Sequence, residues 1–292
     1  MKTVITHLIG GLGNQMFQYA AGYAVSKRLN AQLKFDVTDF KDYKLHNGLE
    51  ILDVFNCPFE CASPGEIAAI LGSRPKTKLL KRIKFLAYTH LYPQHILVDH
   101  YRPEDSFNVE DPGYIRGYWQ SEKYFREYSP DIRRIFSFRS AMNDQNSSAL
   151  HQILQGDSIS VHVRRGDYVT NPKAAAELGV TPMSFFQSAI SYVANKVSSP
   201  RFFVFSDDPS WVRSNLRTDF PTVYIAHNHG RSSFVDMQLM SRCRHHVITN
   251  SSFSWWAAWL NPDRDKIVIG PRKWFANPKR LHNPCPPEWI LL

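Results

Sequence analysis

The chain has 292 residues, with 35 Lys and Arg against 26 Asp and Glu, a formal charge of +9 and 43% hydrophobic residues. That length suggests about two domains at roughly 150 residues each, and that apolar content excludes intrinsic disorder. No run reaches the roughly 18 apolar residues of a membrane span, four cysteines are too few for a disulfide scaffold, and the positive balance leaves three classes of partner: nucleic acid, an anionic membrane surface or a phosphorylated small molecule.

In chain order, residues 4–9 read as a short buried strand and residues 14–29 as a helix, with Met16, Phe17, Ala20, Ala21, Ala24, Val25 and Leu29 at helical spacing. The polar residues Thr6, His7, Asn14, Gln15 and Gln18 break up the apolar stretch, so a buried strand is favoured over a signal peptide. Residues 32–36 form a second strand candidate. Residues 40–115 are irregular and rich in Pro and aromatics. Residues 121–136 read as a helix interrupted by Pro130.

From residue 158 onward the pattern is regular. Strands are expected at 158–164, 201–205, 222–226, 245–249 and 266–269, with helices at 182–196, 209–216, 233–243 and 252–260. Alternation of this kind implies a parallel sheet covered by helices on both faces. Polar residues between 144 and 156 suggest a boundary that separates domains 1–150 and 151–292. No C-x-x-C pair is present, so no zinc site is expected and the thiols read as reduced, in a cytosolic protein. The sequons at Asn146 and Asn250 would matter only in a secretory compartment. A basic run, Arg74, Lys76, Lys78, Lys81, Arg82 and Lys84, reads as a solvated helix face or a contact with an anionic membrane surface.

Four segments carry chemistry. Gly10-Gly11-Leu12-Gly13-Asn14-Gln15 joins a strand to a helix, where backbone N–H groups and the helix dipole favour phosphate. It begins the dinucleotide fingerprint, and Asp36 mimics the ribose-binding acid, but Met16 stands where Gly or Ala is required. A nicotinamide-dependent oxidoreductase is therefore one alternative, and a basic nucleic-acid-binding protein without an RRM, KH or zinc-finger pattern is another.

The second segment ends a strand with His162-Val-Arg164-Arg165-Gly166-Asp167. Alternation puts His162 and Arg164 on one face near the strand's C-terminal end, where open α/β sheets bind ligands. Guanidinium forks suit a diphosphate. The third, Ser206-Asp207-Asp208-Pro209, opens a helix with Asp208 as N-cap and Pro209 as first helical residue. That cap accounts for Asp208 without a metal. The fourth, Asn250-Ser251-Ser252-Phe253, opens a helix whose Trp255, Trp256 and Trp259 read as core.

GGLGNQMFQYA, HVRRGDYV, FSDDP and DMQLMSRCRHHVITNSSFSWWAAWL together resemble glycosyltransferase family 11, the α-1,2-fucosyltransferases that use GDP-fucose. The resemblance implies an α/β fold of GT-B type, with two Rossmann-type domains facing a central cleft. The first would be the acceptor side and the second would bind GDP-fucose, with the last helices packing back on the first domain. It implies inverting transfer of L-fucose to the 2-hydroxyl of a terminal galactose in an O-antigen or β-galactoside glycan, with no cofactor and no metal. By similarity Arg164 holds the β-phosphate, His162 and Asp236 contact guanosine, and Ser251, Ser252 and Phe253 line the diphosphate or guanine pocket. Gly11, Gly13 and Asn14 face the donor, and Gln15, Arg165, Ser206, Asp207 and Asn250 complete the donor set. Asp167 is the first candidate for general base, ahead of Glu177 and His162. The expected setting is cytoplasmic, peripheral at the membrane face, with no nucleic-acid partner.

Overall fold

A computed structural model describes residues 2–43, 45–71, 96–98 and 113–292, the strand at 96–98 by its backbone. The basic run at 74–84 lies outside the described residues. The chain divides into two compact units, Met1–Arg139 and Ser140–Leu292. The division falls before residue 150 because helix Asp144–Ile153 belongs to the second unit, where it packs on helix Phe234–Met240.

In the first unit a parallel sheet is built from β1 (Thr3–His7), β2 (Gln32–Asp36), β3 (Ile96–Val98) and β4 (Tyr114–Arg116), in the order β2-β1-β4-β3. Helix Leu12–Arg28 follows β1 and is buried around most of its circumference. It lies close on the sheet at Gly22, where a Cβ would lie 2.1 Å from Thr6 Oγ1. Gly22 thus takes the close-packing part that the third fingerprint glycine plays in dinucleotide folds, while Met16 is fully buried. The helix expected at 121–136 is broken up. Two 3₁₀ turns, Glu122–Tyr124 and Arg126–Tyr128, precede helix Ser129–Ile135. Pro130 sits in the first turn of that helix, so it starts the helix instead of interrupting one.

The second unit holds a parallel sheet of six strands: β5 (Asp157–Val163), β6 (Pro200–Ser206), β7 (Thr222–Ile225), β8 (His245–Val247), β9 (Val268–Gly270) and β10 (Ile290–Leu291). Their order is β10-β9-β8-β5-β6-β7. The chain builds outward from β5 through β6 to β7, then returns to place β8 on the other side of β5. Strand order therefore reverses between β5 and β8, which opens a crevice at their C-terminal ends.

Both faces of this sheet are covered. Ile159, Val161 and Val163 pack with Phe185, Phe186, Ile190, Val193 and Val212. The alternate residues Ser158, Ser160 and His162 are equally buried. Ser160 Oγ lies 2.9 Å from His246 Nδ1, and His246 Nε2 lies 2.9 Å from Asn261 Nδ2. A polar–apolar alternation here marks a second buried face with its hydrogen bonds satisfied, not a solvated one. Trp255 and Trp256 are fully buried and Trp259 nearly so, as expected for core. All four cysteines are free thiols. The two sequon asparagines, Asn146 and Asn250, are 2% and 4% exposed, so neither presents an acceptor amide to solvent. Among the described residues no helix is long and apolar enough to cross a membrane.

Candidate functional site

The strand reversal in the second unit brings the loop after β5 beside the loop after β8. His162 Nδ1 lies 3.3 Å from Thr249 Oγ1, its ring centroid is 5.8 Å from that of Phe253, and Tyr168 donates its hydroxyl to the Asn250 carbonyl at 3.0 Å. Sequence positions nearly ninety apart thus form one wall.

On the other side of β5 stands the loop after β6. Arg164 Nη2 bonds Asp167 Oδ1 at 2.6 Å, and Nη1 lies 3.1 Å from Asp207 Oδ2. Burial opposes the charge on Arg164, but Asp207 and Asp167 outweigh it and the guanidinium is held ionised. Asp207 also accepts the backbone N–H of Arg165 at 2.8 Å. Gly166 makes room for this pairing, since a Cβ there would sit 2.4 Å from Asp207 Oδ2. Arg164 is therefore a preset cation, gripped by two carboxylates and still partly exposed.

Arg165 is occupied differently. Its Nε lies 3.2 Å from Asp208 Oδ2 and its Cζ stacks 3.5 Å from the centre of the Trp211 ring. It fastens β5 to helix Pro209–Asn215. Asp208 caps that helix as expected, accepting from Trp211 N at 3.2 Å. Ser206 Oγ donates to the Val163 carbonyl at 2.7 Å and accepts from Asp208 N at 3.0 Å, so it too fixes the loop.

At the start of helix Ser252–Leu260, Ser251 occupies the cap position but makes no side-chain cap bond. Among the described residues the hydroxyls of Ser251 and Ser252 have no protein partner. Asn250 is the opposite case. Its Nδ2 donates to the carbonyls of Leu178 at 2.8 Å and Trp274 at 3.1 Å, and its Oδ1 accepts from Thr181. Its side chain ties three segments together, and it borders a cavity of about 580 Å³ that Phe185 and Phe275 also line.

His162 is 6% exposed. Burial, followed by the neighbouring Arg164 charge, pushes its imidazole down to about 3, so it is neutral at physiological pH. A neutral ring suits hydrogen bonding to a ligand and makes a poor proton acceptor. Asp236 behaves the other way. Burial raises its carboxyl to about 7, against a bond from Asn228 Nδ2 at 2.7 Å. Glu177 pairs with Arg280 at 2.6 Å and accepts from Asn277 Nδ2 at 2.9 Å.

In the first unit the Gly loop is built as a turn. Gly10 has φ +92°, which favours glycine. Gly11 sits close under His46: a Cβ there would lie 3.3 Å from the ring, which would have to give by a few tenths of an ångström. Gln15 is fully buried: its Nε2 donates to the carbonyls of Gly10 and Gly48, and its Oε1 accepts from Glu50 N and Ile51 N. It holds the 48–51 segment against the loop. Asn14 Oδ1 accepts from Gln120 Nε2 at 2.8 Å. Gly13 lies inside the first helical turn. Asp36 is fully buried, accepting from Thr38 N, Thr38 Oγ1 and the Tyr114 hydroxyl. Fully buried, it is not presented to a ribose, and the oxidoreductase alternative loses its acid. Sequence reading missed His46, which caps the Gly loop from a residue in the left-handed region, φ +54°.

The profile of Glycosyl transferase family 11 matches residues 66–292. A protein named alpha-1,2-colitosyltransferase, from Escherichia coli, is 34% identical over 302 residues, covering 100% of this chain and 99% of its own length. The O-antigen biosynthesis glycosyltransferase WbnK, from Escherichia coli, is 31% identical over 92% of this chain and 94% of its own. Galactoside alpha-(1,2)-fucosyltransferase 2 of Mus musculus is 28% identical over 86% of this chain and 66% of its own. Among solved structures, fucosyltransferase NodZ from Bradyrhizobium superposes with a TM-score of 0.53 at 16% identity, over 89% of this chain and 93% of that one. At that identity the likeness is one of fold.

Proposed function

The chain belongs to glycosyl transferase family 11, and from that premise we propose that it transfers L-fucose from GDP-fucose to the 2-hydroxyl of a terminal galactose, with inversion and without a metal. The observation that carries the reading is the crevice between β5 and β8, where the charge-locked Arg164 lies over the Tyr168 ring and Tyr168 is bonded to the Asn250 carbonyl, just before the helix start at Ser251 and Ser252. A leaving diphosphate gains negative charge as the glycosidic bond breaks. Arg164 and the free N–H groups of the helix start are aimed where that charge develops, and they need little reorganisation to meet it. His162, neutral, and Asp236 take the guanosine. The acceptor hydroxyl attacks the anomeric carbon from the face opposite GDP and yields its proton to Asp167, whose Oδ2 has no protein partner among the described residues. The first unit selects the acceptor.

Two donors are to be compared, because one relative is named for colitose and another for fucose transfer. The test is a transfer assay with GDP-fucose and with the activated colitose donor, against a panel of galactose-terminated glycans, followed by linkage analysis of the product. Formation of an α-1,2-fucosylated galactoside is the expected result. Transfer from the colitose donor alone corrects the sugar, and a different linkage overturns the acceptor assignment.

A further inference from the structure

We propose that Asn228, clamped by Asn146, is the positioning residue that orients the Asp236 carboxylate for the donor's guanine base. The inference rests on the reading of Asp236 as a guanosine contact and adds the apparatus that sets it.

The apparatus is a chain of side-chain amides in which every side-chain donor and acceptor of Asn146 and Asn228 is used. Asn143, the N-cap of helix Asp144–Ile153, accepts from Asn146 N at 2.9 Å and from Asn146 Nδ2 at 2.8 Å. The same Nδ2 donates to Asn228 Oδ1 at 3.0 Å, and Asn228 Nδ2 returns a bond to Asn146 Oδ1 at 2.9 Å. His227 Nε2 lies 2.9 Å from that oxygen as well. This reciprocal pair leaves Asn228 one orientation, with its second N–H directed at Asp236 Oδ1 at 2.7 Å. Oδ2 of Asp236 has no protein partner among the described residues. A carboxylate with one oxygen fixed and the other open is set to accept a hydrogen bond. Guanine offers adjacent donors, its N1–H and 2-amino group, whereas adenine offers an unprotonated N1 and no 2-amino group. An ionised carboxylate held still therefore selects guanine.

The groups facing Asp236 leave its charge dependent on Asn228. Helix Ser252–Leu260 contains no ionisable side chain, and from helix Asp144–Ile153 neither Asp144 nor His151 acts on it. His227 reaches it only through Asn146, and burial and His229 hold that imidazole below its ordinary value. Burial pushes Asp236 up, and the Asn228 bond is what opposes it. Removing Asn228 thus raises the pH at which the carboxylate ionises, which a purely structural residue would not do.

The experiment is isothermal titration of the full chain with guanosine from pH 5.5 to 8.5. Guanosine is chosen because the terminal phosphate of GDP titrates in this range and its nucleoside does not. Wild type should lose affinity as pH falls through about 7. Asn228→Ala should bind guanosine roughly tenfold more weakly at pH 7, recover part of the loss at pH 8.5, and show its pH limb displaced upward. Asn146→Ala, which touches neither ligand nor Asp236, should move the limb in the same direction by less, and Asn228→Gln should restore part of the wild-type profile. A pH-independent loss, or an unmoved limb in folded Asn228→Ala and Asn146→Ala, overturns the proposal. Should Asn228→Ala fail to fold, Asn146→Ala and Asn228→Gln decide by the same criterion. Wild type that binds neither guanosine nor GDP overturns the donor reading itself, a result distinguishable from wild-type binding with no dependence on Asn228.

Discussion

Asp207 serves two arginines at once, and this shapes what single substitutions at the crevice should do. It holds the Arg164 guanidinium and accepts the Arg165 backbone N–H. Arg164→Ala removes the phosphate cation and leaves Asp167 and Asp207 near each other without it. Transfer should fall at least about 100-fold and GDP should bind more weakly; a folded variant with normal GDP affinity would refute the phosphate role. Asp167→Asn keeps a polar group beside Arg164 but cannot accept a proton. Turnover should drop about 10²-fold or more while GDP affinity stays within a few-fold, and retained turnover discards Asp167 as base. Gly166→Ala places a Cβ 2.4 Å from Asp207 Oδ2. Asp207 is short and cannot swing clear without leaving Arg164. We expect a folded protein with sharply reduced kcat, and a near-normal rate would show that the Arg164–Asp207 contact is dispensable.

Elements here are joined by side chains in loops as much as by strands. Asn250 binds the carbonyls of residues 178 and 274 and accepts from Thr181, so the loop before helix Met183–Ala194 and the segment after β9 meet at one amide. Asn250→Ala strands these buried carbonyls. The stability loss should be about 2–4 kcal/mol, several bonds at about 1 kcal/mol each, read by urea unfolding. Asn250→Asp, which accepts but cannot donate, should be comparably damaging, and a neutral result in both would show the clamp to be incidental. The loop after β5 is fastened more redundantly, by Arg165 on Asp208 and Trp211, by Ser206 on Val163 and by Tyr168 on Asn250. That redundancy suits a loop that must keep Arg164 in place through a catalytic cycle.

For the molecule as a whole, buried titratable groups set the pH range of stability. His162 and His246 are buried and their folded values lie below the ordinary 6.5, His162 at about 3. An unfolded His takes up a proton as pH falls through about 6.5, while the folded one does not. Their contribution is therefore complete above about 6.5 and declines as pH drops toward the folded values, by about 1.4 kcal/mol per pH unit for each group. Asp236 runs the other way. Its folded value of about 7 exceeds the ordinary 3.8, so its contribution is complete below 3.8 and is lost as pH rises toward 7. Two histidines outweigh one carboxyl, and Tm should fall from pH 7 to pH 5. Asp236→Asn should steepen that fall and raise Tm at pH 8, while weakening guanosine binding. A Tm in this variant that is unchanged at pH 8 would show that the buried charge is compensated within the fold.

Much was legible from local pattern. The strand at 32–36 and the helix at 252–260 fall where periodicity put them, and the Asp208 cap and Pro209 start follow from backbone chemistry that acts over a few residues. Local signals failed at 121–136, where apolar spacing concealed two short turns before a proline-started helix. Nor did local pattern show what Gln15, Arg165, Ser206 and Asn250 hold within the protein, since each side chain bonds a segment or element beyond its own neighbours. Residue type and spacing determined the parallel α/β class, the helix starts and the four motif segments, because strand and helix periods and capping are properties of neighbouring residues. Only the tertiary structure decided that β8 returns beside β5, that Asp207 grips Arg164, and that Asn228 reaches Asp236, because strand order and cross-loop bonds are settled by packing between residues distant in the chain.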